Sequence, residues 1–450
     1  MPIERNDNLT QYNFSDYTGG INVSLPPMLI GSNDAQSIIN MEYDYTRLRT
    51  RGGISAPILT FTNDISYIWY DKAVNRYIVI DSEKQVYIAD LDGTPTFTGT
   101  LNGTFTPSFE KFGGNCFIAS GSKLQYIDYA DNTLKTIDSS KNCDNVFYRY
   151  GRLATSKQGD DNLYYSAIGD PYSTDAWTNN SNDESSSQWL EIGYKDDGDI
   201  TTCLPLANDL MIFKTQGLIY DLSGESPNWN VQNTNQLAFA VNKDSIKVVE
   251  NEIIFLTKNG LKNLASTSNY GNFAVNEVGY KFNKLLSASV HNPKMWNIIS
   301  KRQLIIRPND NNTQHYFIYQ YNMDSGFEVN FGMNITDMAE SQTGVIVASG
   351  KSIYRWSFDY TSDNGTPISQ TLVTRQVLAQ DKFFTRRMDI ILEGTSGTAT
   401  IRLIKESFKY KFPLARKVKE IYTNSRYIEV GITSTVPFNV NAILVNAVNV

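Results

Sequence analysis

The densest concentration of potential chemistry in the chain is KDDGDIT at 195–201, where Asp196, Asp197 and Asp199 flank Gly198 and offer hard oxygen ligands to a cation such as calcium. The spacing is not that of an EF-hand, and a loop starting at Asp196 has no Glu at its twelfth position. A tight turn with Gly198 at positive φ accounts for the same residues. Asp90 with Asp92, and Asp160 with Asp161, read as acidic turns for the same reason. Two histidines, His291 and His315, leave little for His-ligated metals or for Ser-His and Cys-His pairs, and both read as surface or turn residues. Cys116, Cys143 and Cys203 cannot pair completely and show no C-x-x-C spacing, so they read as reduced, mostly buried thiols.

Basic residues form two groups. Arg47, Arg49 and Arg51 recur with period two, so an extended strand would place three guanidiniums on one face, against phosphate or an acidic protein surface. A solvated edge that discourages strand addition explains the trio equally well. The second group is Arg386, Arg387, Lys405, Lys409, Lys411, Arg416, Lys417 and Lys419, divided between a solvated surface and a charged partner interface. Residues 374–426 carry a net charge of +7, which leaves −14 on the rest of a chain whose total is −7. Such a balance disfavours a protein whose whole surface clamps nucleic acid.

The elements that must position these residues are strands. The 450 residues suffice for a large core without disulfides or metals, and 12% are aromatic while only 19% are charged. Seven hairpin signatures recur, starting at residues 77, 116, 152, 210, 252, 303 and 344. A spacing near 40 residues matches a four-stranded propeller blade, so the expectation is an all-β chain with a β-propeller of six or seven blades. The alternative is a generic β-sandwich. The 58- and 51-residue intervals each hold either an inserted loop or a degenerate blade. A strand within ISAPILTFT (54–62) is the candidate for closing the ring.

The expected domains are an N-terminal extended docking arm (1–53), the propeller (54–370) and a small C-terminal β-domain (371–450). The arm is expected to hold one short helix near 34–41, capped by Asn33 or Asp34 and packing Ile38, Ile39 and Met41. A second helical pattern spans 276–290 through Val278, Phe282, Leu285, Leu286 and Val290. The N-terminus lacks a basic region followed by an apolar one, and no run approaches 18 apolar residues, so neither a standard secretion signal nor a membrane span is expected.

In three stretches the chain resembles the tail-nozzle proteins of short-tailed bacteriophages, also called tail tubular protein B or packaged-DNA stabilisation proteins. In FSDYTGGINVSLPPMLIGSNDAQSIINMEYDYTRLRTRGG (14–53), Gly19, Gly20, Asn22, Asn40, Arg51 and Gly52 match the family's opening, with Gly52 standing where the family often has Pro. NLYYSAIGDPYSTDAW (162–177) and IGYKDDGDITTCLPLANDLMIFKTQGLIYDLSGES (192–226) resemble its middle blade. FFTRRMDIILEG (383–394) resembles the basic strand opening its C-terminal domain.

The resemblance implies a virion protein assembled in the bacterial host cytoplasm, without enzymatic activity, cofactor or metal. It implies a homo-oligomeric ring, a hexamer, beneath portal and adaptor proteins. That ring would retain packaged double-stranded DNA, dock tail fibres or spikes, and conduct DNA at ejection. Arg47, Arg49, Arg51, Arg386, Arg387, Lys409, Lys411, Arg416 and Lys417 are then the candidate partner-interface residues. The alternative is a carbohydrate-binding or glycoside-cleaving propeller of a phage tail tip, with funnel carboxylates as acid and base. The Asp-box pattern S-x-D-x-G-x-T-W is not intact, since SDNGTP (362–367) lacks its spacing and its Trp.

Overall fold

The computed structural model describes residues 10–44, 46–178, 185–194, 196, 198–224, 228–266, 273–311, 314–394, 398–403, 409–413 and 416–449. At 380–383, 386, 398–399, 401–403, 409–413, 416–424 and 449 the description is of the backbone alone.

All seven hairpins read from the sequence form, and each supplies the two middle strands of a four-stranded antiparallel blade. Blades 1 to 5 span 65–100, 108–136, 145–191, 200–237 and 246–277, and blade 6 spans 294–330. Blade 7 takes three strands from Asp337–Ser341, Gly344–Ser349 and Ser352–Ser357. Its outer position is filled from the N-terminal side of the chain, where Gly53–Ile54 and Leu59–Thr60 both pair with Ser352–Ser357. The ring is thus closed from within 53–60, and the propeller has seven blades. The long sequence intervals are insertions: one is the connection between Tyr165 and Gln188 in blade 3, the other the linker from 278 to 293 before blade 6.

The apolar runs in the hairpins follow from blade stacking. Alternate side chains of a blade face opposite neighbours, so both faces are buried and the usual polar alternation is lost. In blade 1, Ile78 and Ile80 pack on Cys116 and Ile118 of blade 2, while Tyr77 and Val79 pack on Ile346 and Ala348 of blade 7. A separate apolar cluster of this kind fills every one of the seven blade junctions.

The residues before and after the propeller form a second β-unit together. One sheet runs Met41–Asp44, Arg47–Thr50, Asn439–Asn449, Val377–Glu393 and Arg416–Ile428, with Thr10–Asn13 also paired to Asn439–Asn449. The other runs Asp34–Ile39, Gln370–Thr374, Val430–Ser434, Thr398–Leu403 and Lys409–Pro413, and it continues the sheet of blade 6 through the Ile39–Glu328 pairing. Met388, Ile390, Val440 and Ile443 of the first sheet share one core with Ala35, Ile38, Leu372 and Ile432 of the second, and with Trp296, Tyr316, Phe331 and Trp356 of blades 6 and 7.

Two expectations are corrected here. Residues 34–39 form a strand rather than a helix, because Ala35 and Ile38 are needed in the shared core and the β-branched Ile38-Ile39 pair suits a pleated surface. Segment 1–53 is not an extended arm where it is described, since its strands are woven into the sheets of the second unit. Of the helical pattern at 276–290, one short helix forms, Asn283–Ser287, with Phe282 and Leu286 packed between blades 5 and 6.

Candidate functional site at the channel mouth

The first strands of neighbouring blades approach one another around the middle of the ring, so they form the wall of its central channel. Around the ring, polar side chains of one blade reach the next. Lys294 of blade 6 pairs with Asp337 of blade 7 at 2.9 Å. Asp337 accepts from Trp296 Nε1 at 2.6 Å and from the backbone amide of Ile68, in blade 1, at 2.8 Å. Asp71 of blade 1 accepts from Lys111 Nζ (2.8 Å) and Tyr129 Oη (2.7 Å) of blade 2. Glu110 of blade 2 accepts from the amide of Tyr148 in blade 3 at 3.1 Å, and burial raises its carboxyl pKa. Asn145 of blade 3 exchanges hydrogen bonds with Thr201 and Thr202 of blade 4. Asn297 of blade 6 donates to the Val248 carbonyl of blade 5, and Glu340 of blade 7 accepts from the amides of Ile299 and Ser300. Each such bond contributes on the order of 1 kcal/mol, and together they fix the register of neighbouring blades.

Lys243, in the linker before blade 5, donates to the carbonyls of Thr106 (2.6 Å) and Asp144 (2.7 Å), which precede blades 2 and 3. It therefore spans the mouth of the channel. Its linker is held by a capping box in which Asn242 accepts from the Ser245 amide and Ser245 Oγ approaches the Asn242 amide. Burial lowers the Lys243 pKa and raises that of Asp144. Two cavities adjoin at Thr106 and Asp244: a smaller one of about 220 Å³ beside Lys243, and a larger one of about 310 Å³ inside the channel. The larger is lined by Tyr67, Trp69, Phe109 and Trp296, with Asp244, Lys247, Lys294, Asp337 and Glu340 as its charged groups. Trp69 and Phe109 lie parallel, 5° apart in plane with ring centres separated by 5.3 Å. Lys294 sits 4.7 Å from the centre of the Tyr67 ring.

Residues singled out in the sequence fall elsewhere. Arg47 pairs with Glu393, and Arg49 pairs with Asp44 at 2.9 Å while lying 3.3 Å from the centre of the Phe358 ring. Arg51 leaves this face, which corrects the expectation of three guanidiniums side by side. It lies past the end of the strand Arg47–Thr50, and its side chain is fully buried. There it pairs with Asp363 (3.0 Å from Nη1), donates to the carbonyls of Gly52 and Asn330 (2.7 Å each), and donates from Nε to Asn40 Oδ1 (3.1 Å). Asn40, at φ +57°, also accepts from the Asn330 amide and donates to the Ser369 carbonyl. Trp356 Nε1 donates to the Gly52 carbonyl. A Cβ on Gly52 would stand 2.8 Å from the backbone of Ser357, so blade 7 passes too closely for a side chain. Asn22 Nδ2 donates to Asp34, which also receives Lys281, and a Cβ on Gly20 (φ +70°) would meet the backbone of Gly326 at 2.7 Å.

In the C-terminal group, Arg386 is the extra residue of a bulge between Thr385 and Arg387, and Arg387 is half-exposed, 3.8 Å from Asp389. Lys409 and Lys411 lie on Lys409–Pro413, and Arg416, Lys417 and Lys419 on Arg416–Ile428. The side chains of Arg386, Lys409, Lys411, Arg416, Lys417 and Lys419, and all of Lys405, lie outside the described residues.

The acidic turn at 195–201 is a pairing site for a cation of the chain itself. Asp196 and Asp161 meet the buried Lys214 at 2.7 and 3.1 Å, and the positive φ falls at Gly193 (+71°) rather than at Gly198. Lys195 and Asp197 lie outside the described residues. Among the described residues no group of three or more His, Cys, Asp or Glu could hold a metal ion. His291 is exposed and pairs with Asp310 at 2.6 Å, and His315 pairs with Glu328 at 2.8 Å. The three thiols are buried and free, and burial pushes their pKa values up.

The channel-mouth groups were missed in the sequence because inner strands carry no hairpin signature. The available signal was a polar residue heading an apolar strand, as in KMWNI (294–298) and DMAES (337–341).

The chain is thus an all-β protein built on a seven-bladed β-propeller. No family model and no curated protein matches it. Solved structures do. The β-propeller domain of Cps50 (Swd1) from Myceliophteria thermophila is 11% identical, with 69% of this chain and 98% of that chain covered and a TM-score of 0.44. YCF48 from Cyanidioschyzon merolae is 8% identical, with 68% and 99% covered and a TM-score of 0.46. PorZ, of the type-IX secretion system of Porphyromonas gingivalis, is 9% identical with a TM-score of 0.43, and 80% of this chain spans 46% of that protein. Among the described residues no helix is long and apolar enough to cross a membrane.

Proposed function

We propose that the chain is a structural virion protein of the short-tailed phage tail-nozzle type. It forms a ring, a hexamer, beneath portal and adaptor proteins, retains packaged DNA, docks fibres or spikes, and conducts DNA at ejection. The observation that carries this reading is where the residues of the resemblance fall. Gly20, Asn22, Asn40, Arg51 and Gly52 all lie along the joint between the propeller and the second β-unit, engaged in close backbone approach or hydrogen bonding. A motif whose residues hold two bodies in fixed orientation suits a subunit that transmits position through an assembly.

The channel carboxylates are engaged in a way that suits the same role. Asp337 is held by a lysine, an indole and an amide, and Glu340 by two amides, so both serve blade alignment. The direct test is the mass of the purified protein together with a reconstruction of particles that contain it. A ring at the DNA exit, and loss of DNA-filled infectious particles on deletion, are expected. A monomer absent from the particle, or DNA-filled particles that fail only in host binding, overturns the reading.

A further inference from the structure

The larger cavity in the channel contains two charged groups that the blade-aligning network does not use. Lys247, on the inner strand Ile246–Val249, lines the cavity, and among the described residues it has neither a hydrogen bond nor an ion pair. Asp244, at the mouth of the same cavity, has no side-chain partner among the described residues either. The remaining charges nearby are committed: Lys294 to Asp337, Glu340 to two amides, and Lys243 to two carbonyls. The same cavity is lined by the stacked rings of Trp69 and Phe109, which add a flat aromatic face.

A buried amine with no hydrogen-bond acceptor is unfavourable even where carboxylates act on its charge from farther off, as Asp244 and Asp337 do here. Burial, followed by the charge of Lys294, lowers the Lys247 pKa against the opposing pull of Asp244 and Asp337, and a ligand anion within hydrogen-bond reach would supply the acceptor that neither carboxylate provides. The cavity, about 310 Å³, lies at the lower end of the roughly 300–1,000 Å³ of small-ligand sites.

We propose that this cavity is a binding site for a sugar acid. The ligand carboxylate pairs with Lys247, ring hydroxyls donate to Asp244, and the C–H face of the pyranose lies on the outer face of the Trp69–Phe109 stack. One cation, one carboxylate acceptor and one flat apolar surface are the three features such a ligand needs, and a simple inorganic anion would use only the first. The site is independent of the ring-forming role, since it lies within a single propeller.

Calorimetric titration of the full-length protein with D-glucuronate tests the assignment, with D-glucose as the uncharged match and acetate as the ringless one. Glucuronate is expected to bind at least about tenfold more tightly than either, the discrimination that one charge-assisted hydrogen bond supplies. Lys247→Met should abolish glucuronate binding, Lys247→Arg should retain it, and Trp69→Leu should weaken it. Trp69 also packs between blades, so the thermal transition of each variant is measured alongside. Because Lys247 has no partner to lose, Lys247→Met is expected to melt like the parent. Equal binding of glucose or acetate, glucuronate binding unaffected by Lys247→Met, or no glucuronate binding at all overturns the proposal.

Discussion

At the scale of single residues, the group that matters most to the fold is Arg51. Burying a guanidinium is tolerable only when every donor is answered, and here Asp363, two carbonyls and the Asn40 amide oxygen answer it. Burial raises the pKa of Asp363 and the hydrogen bond from Arg51 opposes that rise, so removing the arginine leaves a carboxyl that must take up a proton or stay charged and unpaired. Arg51→Met should therefore destabilise the protein by about 3–5 kcal/mol in denaturant titration. Gly52→Ala should cost about 1–3 kcal/mol by overpacking against Ser357. Asp221 offers a pH test of opposite sign. Burial, with Asp209 nearby, raises its pKa to about 6, above the unfolded value. The folded state then binds more protons than the unfolded one between roughly pH 4 and 6, so this carboxyl costs stability as pH rises through that window. Asp221→Asn should stabilise the protein at pH 7 by about 1 kcal/mol after allowance for partial exposure, with the gain vanishing near pH 4. A gain that persists at pH 4 would assign it to packing instead.

At the scale of elements, the middle strands of every blade were legible because both faces are buried and a polar turn divides each pair. The candidate closing segment was legible only from the need to pair the last blade. Less was legible where a residue's partner is remote in sequence. Asn40 and Arg51 meet Asn330 and Asp363 across about 290 and 312 positions, and no local pattern announces such a joint. The strand Asp34–Ile39 was misread as a helix for the same reason: it is chosen by its pairing with Gln370–Thr374, not by its own periodicity. Its role yields a prediction that separates a detachable arm from a woven one. Deleting residues 1–62 removes the outer strands of blade 7 and five described strands of the second β-unit, exposing Trp356 and the core residues that Ile38 covers, such as Leu372 and Ile432. The truncated chain should lose cooperative thermal unfolding and bind a hydrophobic dye. A truncation that melts sharply, near the parent temperature, would restore the detachable arm.

At the scale of the whole molecule, the charge split acquires a geometric reading. The +7 of residues 374–426 belongs to the stretch of sequence that supplies the second β-unit, and most of the −14 belongs to the propeller. Opposite charge on two bodies held by one rigid joint favours head-to-tail contact, in which the basic unit of one copy meets the acidic propeller of the next. Heterologous contacts of this kind close into rings when the rotation per subunit divides a full turn. Association of that origin is steered by charge and weakens with ionic strength, because the Debye length falls from about 10 Å at 0.1 M salt to about 3 Å at 1 M. If the proposed hexamer forms in this way, reversing Lys409, Lys411, Arg416 and Lys417 to Glu should reduce the particle mass in light scattering from six times to once the 50.8 kDa of a single chain. The parent should dissociate in the same direction as salt is raised. Among the described residues the strand Arg416–Ile428 pairs on one side only, with Val377–Glu393, so backbone pairing to a neighbour is the competing origin of assembly. A ring that survives both charge reversal and 1 M salt would be held by that strand edge or by apolar contact, and the charge split would then serve adaptor or fibre docking instead.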